Sequence, residues 1–168
     1  FLTELHRLLN EKLDRIAEEP AFNPVLVPGG VARPRSCIIA SGVAFANASE
    51  LLDTLGAEGR IDLYQVRLAY PLHQPFIAEI RKRYEKVLVL EETDAVIEMQ
   101  LGPDRVSGRG SGDVPRQGEL TPDLIEEYET ACGSVVQDVG GLGHLYHECR
   151  AAPGQIVRRT DAREDAIE

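Results

Sequence analysis

The chain has 168 residues, of which 43% are hydrophobic and 27% charged, and these values are typical of a globular domain rather than a disordered chain. Its net charge of −10 argues against nucleic acid or an anionic membrane as a partner, because phosphates are bound by clustered lysine and arginine. No apolar run approaches the roughly 20 residues of a membrane span and no signal peptide is visible, so we expect a cytoplasmic protein without a membrane partner. The sequence begins at Phe1 rather than Met, which predicts a fragment or a processed product.

The first predicted element is an amphipathic helix that Pro20 ends. Its apolar residues recur at steps of three and four and are Leu2, Leu5, Leu9, Leu13 and Ile16. Residues 20–35 are rich in proline and glycine, which predicts a joint with a short strand over residues 25–27. We therefore expect the first helix to pack as an appendage or to belong to a neighbouring domain.

Three strand–helix repeats follow this joint. Residues 36–40, 61–68 and 87–90 are read as buried strands, and an amphipathic helix is predicted after each of them. This alternation predicts an α/β sandwich with parallel crossovers between its strands.

The stretch 86–101 is expected to form the centre of the fold. Its apolar run predicts a strand covered on both faces, with Val87 and Val89 on one face and Leu88 and Leu90 on the other. Two acids follow this run directly, and an amphipathic helix comes next.

The pattern is looser beyond this stretch. Residues 106–112 predict a short edge strand and a glycine loop. Thr121 as the N-cap and Pro122 in the first turn predict a helix that runs to about Cys132. The remaining residues 133–168 predict a polar tail.

The candidate functional residues are those that follow the three parallel strands. Gly42 follows the first strand, Tyr70 and Pro71 follow the second, and Glu91 and Glu92 follow the third. Because the carboxyl ends of parallel strands meet at the edge of a sheet where ligands and partner domains are bound, we expect these residues to converge. The two acids should be at least partly exposed, either in a contact surface or as a solvated strand end that caps the next helix.

Three other patterns have both a chemical and a structural interpretation. The G-x-G-x-G spacing over residues 108–112 is that of a dinucleotide site or of a plain flexible loop. His144, His147 and Cys149 are spaced as metal ligands on a helix, or are structural, and His73 either acts as an acid–base group or begins a helix. No lysine has the context of a phosphate-binding loop and no nucleophile–base pair can be assembled, so no catalytic or metal-binding residue is assigned.

The cysteines are Cys37, Cys132 and Cys149. Their odd number and wide separation predict reduced thiols in a cytosolic protein. Because the chain has no C-x-x-C motif, we do not expect it to hold an iron–sulfur cluster or a zinc ribbon by itself.

Four blocks of the sequence resemble the large (alpha) subunit of indolepyruvate:ferredoxin oxidoreductase. They are residues 39–44 (IASGVA), 70–72 (YPL), 86–101 (KVLVLEETDAVIEMQL), and the run of Val106, Gly108, Gly112, Pro115 and 118–122 (GELTP). The blocks follow the family's order and spacing and cover roughly residues 36–128. The resemblance points to the middle domain of that subunit, which is similar to the transketolase C-terminal domain.

This resemblance implies a three-layer α/β/α sandwich. Its mixed, mostly parallel five-stranded sheet would have the strand over residues 25–27 antiparallel to the others. Residues 20–132 would form this transketolase C-terminal-like domain. Residues 1–19 would be an N-terminal helix, as an appendage or a linker to a preceding domain, and residues 133–168 would be a poorly defined tail.

For the whole enzyme, the resemblance implies that an aryl 2-oxoacid and coenzyme A are converted to acyl-CoA and CO2, with electrons passing through iron–sulfur clusters to ferredoxin. Thiamine diphosphate and magnesium would be held by flanking domains. Because this chain has no GDG motif and no cluster cysteines, it is expected to bind none of these cofactors and to be a non-catalytic domain, inactive alone.

The implied partners are the flanking thiamine-binding domains and the small (beta) subunit, with ferredoxin as a partner of the full enzyme. The related transketolase-type domains turn a similar sheet edge toward a partner domain, so the five strand-end residues become interface candidates. The alternative is a stand-alone flavodoxin-like module that binds a nucleotide or a small acid at its strand ends.

Overall fold

A computed structural model describes residues 1–28, 35–54, 61–92, 94–122 and 124–125. The strands of this part are β1 (Val25–Val27), β2 (Ser36–Ser41), β3 (Asp62–Val66), β4 (Lys86–Leu90) and β5 (Val106–Ser107). Its helices are α1 (Leu2–Ala17), α2 (Gly42–Thr54), α3 (Gln74–Arg83) and α4 (Val96–Leu101), and a further helix begins at Pro122.

The strands form one mixed sheet in the order β1-β3-β2-β4-β5. Strands β2 to β5 pair in parallel, whereas β1 runs antiparallel to β3. The predicted fold class, including the antiparallel first strand, is therefore confirmed. The strand predicted to be central, β4, is an interior strand, but the middle position belongs to β2.

Alternate residues of each strand point to opposite faces of this sheet. Both sets are apolar in the interior strands, and helices cover both faces. Leu88 and Leu90 share one core with the buried face of α2, and Val87 and Val89 share the other with α3 and α4. The predicted division of the β4 side chains between the two faces is confirmed.

Two predicted boundaries differ from the structure. Strand β3 ends at Val66 rather than at residue 68, and Arg67 is exposed. The helix after β4 begins at Val96 rather than directly after the two acids, because the first of these acids binds N–H groups of its first turn (described below).

An ion pair between a partly exposed arginine and a buried carboxylate lies at the amino end of β3. The Asp62 carboxylate is fully buried and accepts hydrogen bonds from Arg83 Nη2 at 2.7 Å and from the Tyr84 hydroxyl. The Tyr84 hydroxyl also lies 2.9 Å from that of Tyr64. Burial and the nearby Asp62 raise the pKa of the Cys37 thiol, so this cysteine is an inert core residue. This network joins the end of α3 to the start of β3.

The start of the predicted helix after Thr121 is also observed. The Ile125 N–H donates to the Thr121 carbonyl at 3.0 Å, and Leu120 and Ile125 are buried in the same core. The rest of that predicted helix, the tail over residues 133–168, and the candidate metal ligands His144, His147 and Cys149 lie outside the described residues.

Helix α1 contacts the rest of the described structure very little, and Ala17 is its one buried residue. Its predicted apolar stripe is therefore formed, but most of it is exposed. No helix in the described ranges is long and apolar enough to cross a membrane.

Truncation of Leu88 to alanine should destabilise the fold by about 2–5 kcal/mol, because it removes a buried side chain from an interior strand and leaves a cavity. Chemical denaturation measures this loss. The matched control is Met99→Ala in α4, where the side chain is exposed and the change should stay within about 0.5 kcal/mol. Equal effects of the two substitutions would contradict the assignment of β4 to the interior.

Candidate functional site

The five predicted residues lie at one edge of the sheet. The register pairs Ser41 with Val66 and Ala40 with Leu90, so β2, β3 and β4 end almost level. The segments that follow these adjacent strands therefore leave the sheet side by side. We call this region the carboxyl edge, and it comprises residues 41–43, 67–72, 91–92 and 94–101.

Gly42 makes the turn from β2 into α2 with a φ of +58°, a conformation that favours glycine. A Cβ atom at this position would have no atom within 4 Å. The backbone turn, rather than tight packing, therefore explains this glycine, and the surface around it is open.

Tyr70 and Pro71 lie in the loop after β3 and are joined by a cis peptide bond. The Gln100 side chain of α4 holds this loop: its amide nitrogen donates to the Ala69 carbonyl at 2.7 Å, and its oxygen accepts from the Leu72 N–H at 2.8 Å. The Tyr70 side chain is left exposed. The loop and α4 thus form one continuous part of the carboxyl edge.

Glu91 is not exposed, which corrects the prediction for this residue. Its side chain is 3% exposed, and its two carboxylate oxygens accept the N–H groups of Ile97 at 2.9 Å and Glu98 at 3.2 Å. Ala95, at the N-cap position of α4, has no side-chain acceptor to offer, so Glu91 caps the helix from the end of the preceding strand. The predicted capping role is therefore observed, but in a buried setting instead of a solvated one.

Glu92 matches its prediction better, because it is only partly buried. Its backbone carbonyl accepts from Arg109 Nη1 at 2.5 Å. One carboxylate oxygen, Oε1, is shielded from solvent and has no hydrogen-bond donor in the structure. Adjacent acids in the sequence thus have different environments, and Glu92 alone retains unused hydrogen-bonding capacity.

Glu98 is a residue that the sequence analysis missed. It is buried, and its carboxylate accepts the N–H groups of Gly110 at 2.5 Å and Ser111 at 2.7 Å. A Cβ atom on Gly108 would lie 2.6 Å from the Glu98 Oε2 atom, so the loop needs glycine there. The glycine loop therefore binds a carboxylate of its own chain, which explains the G-x-G-x-G spacing without a dinucleotide.

Arg109 was also missed, and it fixes the other side of this loop. Its guanidinium is buried and donates to the carbonyls of Glu92, Arg116 at 3.2 Å and Gly118 at 3.0 Å. A sequence signal existed for Glu98, because its spacing from Ile97 and Leu101 puts it on the buried face of the helix. No comparable signal marked Arg109.

The described residues do not fit thiamine diphosphate. Within them, no group of three or more His, Cys, Asp or Glu side chains is placed to hold a metal ion. Glu98 already occupies N–H groups of the glycine loop that a diphosphate would need, and Glu91 occupies those of α4. Two anion-binding elements, the glycine loop and the start of α4, are therefore filled by the chain itself.

The exposed large hydrophobic side chains beyond residue 27 share a location. In the described part of the chain they are Val43, Tyr70 and Met99, which are 51%, 58% and 72% exposed. Each belongs to a segment that follows a different parallel strand. Beyond residue 27, every exposed large hydrophobic side chain of the described residues therefore lies at the carboxyl edge.

The sequence is similar to the indolepyruvate oxidoreductase subunit IorA of two archaea. With the protein of Methanothermobacter thermautotrophicus it is 26% identical over 151 residues, which is 86% of this chain and 24% of that protein. With the protein of Thermococcus kodakarensis it is 29% identical over 124 residues, 70% of this chain and 19% of that protein. The predicted resemblance is confirmed, and the chain spans less than a quarter of the length of these curated relatives.

Among solved structures, the fold is similar to a chain described as "Split gene transketolase, inactive beta4 tetramer". The TM-score is 0.41 and the identity 21%, over 70% of this chain and 39% of that chain. No protein-family model matches the sequence.

Glu91→Ala should cost about 1–3 kcal/mol of stability, because it leaves buried N–H groups of α4 without an acceptor. Glu92→Ala is the matched control and should change stability by about 0.5 kcal/mol or less, since that side chain has no donor to lose. Urea denaturation of both variants compares the two values. Similar costs for both would contradict the different environments of these acids.

Stability should also depend on the protonation of Glu91. Burial raises the pKa of this carboxyl above its ordinary 4.5, although N–H groups of α4 oppose the shift. The stability that its protonation contributes is present below the ordinary pKa and is lost as the pH rises through the higher folded-state pKa. Glu91→Gln should therefore show a smaller fall in stability than the wild type from about pH 4 toward neutrality. Denaturation midpoints against pH measure this, and identical slopes would contradict it.

Proposed function

We propose that this chain is a non-catalytic interface domain of a thiamine diphosphate-dependent 2-oxoacid:ferredoxin oxidoreductase that acts on indolepyruvate-type substrates. The similarity to IorA subunits over most of the chain supports the enzyme class. The observation that supports the interface role is that Val43, Tyr70 and Met99 expose apolar surface where the parallel strands end. Exposed large hydrophobic side chains gathered at one end of a fold are a feature of protein contact surfaces.

The carboxyl edge would face the thiamine-binding part of the enzyme or its small subunit. Gly42, Tyr70, Pro71 and Glu92 remain interface candidates, while Glu91 supports the edge from inside. Glu92, which is partly exposed, would pair with a cationic side chain of the partner. Such pairs fix orientation more than they add affinity. Acyl-CoA formation and electron transfer to ferredoxin would take place in those other parts of the enzyme.

The alternative, a flavodoxin-like module that binds a nucleotide or a small acid, has less support. The glycine loop and the start of α4 are both occupied by carboxylates of the chain. Calorimetry with thiamine diphosphate and magnesium, and separately with nucleotides, should show no binding to the 168-residue chain. A micromolar dissociation constant for either ligand would overturn the proposal.

The double substitution Val43→Arg and Tyr70→Arg tests the interface directly. It should weaken assembly with the thiamine-binding part by about tenfold or more, because it places charge in a desolvated contact. The matched control is Ala78→Arg on the exposed side of α3, which should leave assembly unchanged. The free energies of unfolding of both variants should lie within about 0.5 kcal/mol of the wild-type value. Full assembly and full 2-oxoacid-dependent ferredoxin reduction by the double variant would contradict the proposal.

A further inference from the structure

A second group of exposed apolar side chains lies on α1, which precedes the sheet in the sequence. Leu2, Leu5, Leu9 and Ile16 are between 41% and 68% exposed. Their spacing places them on one face of the helix, and we call them the α1 stripe. Of the 16 residues of α1, only Ala17 is buried.

Local interactions alone do not explain this helix. Arg7 pairs with Glu4 and Glu11 on an exposed face, and such surface pairs contribute little. A helix of 16 residues is marginal in water, and helices in proteins are stabilised mainly by packing of an apolar face. In the described structure the α1 stripe has no such packing. The contact that would stabilise this helix therefore has to come from outside the described residues.

The segment that follows α1 also exposes apolar side chains. The large hydrophobic side chains of Phe22, just before the sheet, and of Val25 and Val27 in β1 are exposed. Between them, the side-chain oxygen of Asn23 is shielded from solvent and has no hydrogen-bond donor. The chain itself covers this oxygen, so the surface that a partner would bury here is the apolar one at Phe22, Val25 and Val27.

The charge of the helix favours some binding partners of the α1 stripe over others. Residues 1–19 contain five acidic and three basic side chains, and the chain as a whole carries −10. A second copy or an anionic membrane would bring like charges together, whereas a groove with a basic rim would complement this helix.

The length of the relatives indicates where such a groove is available. The matches to the two IorA subunits leave at least three quarters of those proteins outside the aligned segment. A subunit of that size has other domains against which an amphipathic helix can pack. Helix-in-groove packing of this kind is a common mode of recognition.

We propose that the α1 stripe docks into an apolar, basic-rimmed groove on another domain of the same enzyme. This proposal rests on the proposed function, because it takes the occupant from that enzyme. It adds a second contact, separate from the carboxyl edge.

Cysteine labelling tests the contact. Leu9→Cys reports on the α1 stripe, and Asp14→Cys on the opposite side of the helix is the matched control. Maleimide labelling is followed at the peptide level, which separates the new thiols from Cys37, Cys132 and Cys149. In the 168-residue chain both sites should react quickly. In the assembled enzyme Leu9→Cys should react about tenfold more slowly, while Asp14→Cys changes by less than about twofold, because reactivity follows exposure. Hydrogen exchange of the α1 amides in the unmodified proteins gives the same comparison without a substitution.

Three results would overturn the proposal. Slow labelling of Leu9→Cys in the 168-residue chain at every concentration would show that another part of this chain covers the stripe. Slow labelling only at high concentration would identify a second copy as the occupant. Fast labelling in the assembled enzyme would show that nothing docks there.

Assaying 2-oxoacid oxidation on the same sample separates the two proposals. Activity without protection of the α1 stripe overturns only the α1 contact, and protection without activity overturns only the proposed function.

Discussion

The carboxyl edge depends on two buried carboxylates that are satisfied by backbone N–H groups. Glu91 accepts from the first turn of α4, and Glu98, inside that helix, accepts from the glycine loop. A buried carboxylate without donors would cost far more than an ordinary hydrogen bond contributes, so α4 and the loop must keep their positions relative to β4. Arg109 adds the complementary constraint by donating to carbonyls on both sides of the loop. The end of an interior strand, a six-residue helix and a loop thus behave as one rigid unit.

This construction is the reason for proposing a protein partner at the edge instead of an anionic ligand. N–H groups that could bind a phosphate are already used by the chain's own acids. What remains outward is apolar surface at Val43, Tyr70 and Met99. A rigid surface of this composition can be buried against a complementary protein surface at little entropic cost.

The α1 stripe differs from the carboxyl edge in mechanical terms. The edge is tied into the sheet by hydrogen bonds, whereas α1 is joined to the domain through the segment over residues 18–24 and buries almost nothing against it. One surface can therefore set the orientation of the domain, while the other can adapt to a neighbour. Both proposals describe a domain held at two places within a larger protein.

The sequence by itself determined the elements, the two faces of β4 and the edge at which Gly42, Tyr70, Pro71, Glu91 and Glu92 lie. The reason is that period-two and period-3.6 patterns are local, and the order of strands and helices places every parallel strand end on the same side. The antiparallel β1 came from the family resemblance. Which strand occupies the middle was decided by the tertiary structure, because β2 and β4 are both buried apolar runs and local sequence carries no strand order. The different environments of Glu91 and Glu92 were also decided there. Past the last residue of a strand the alternation stops, and the position of each carboxylate depends on where α4 and the glycine loop return to the sheet.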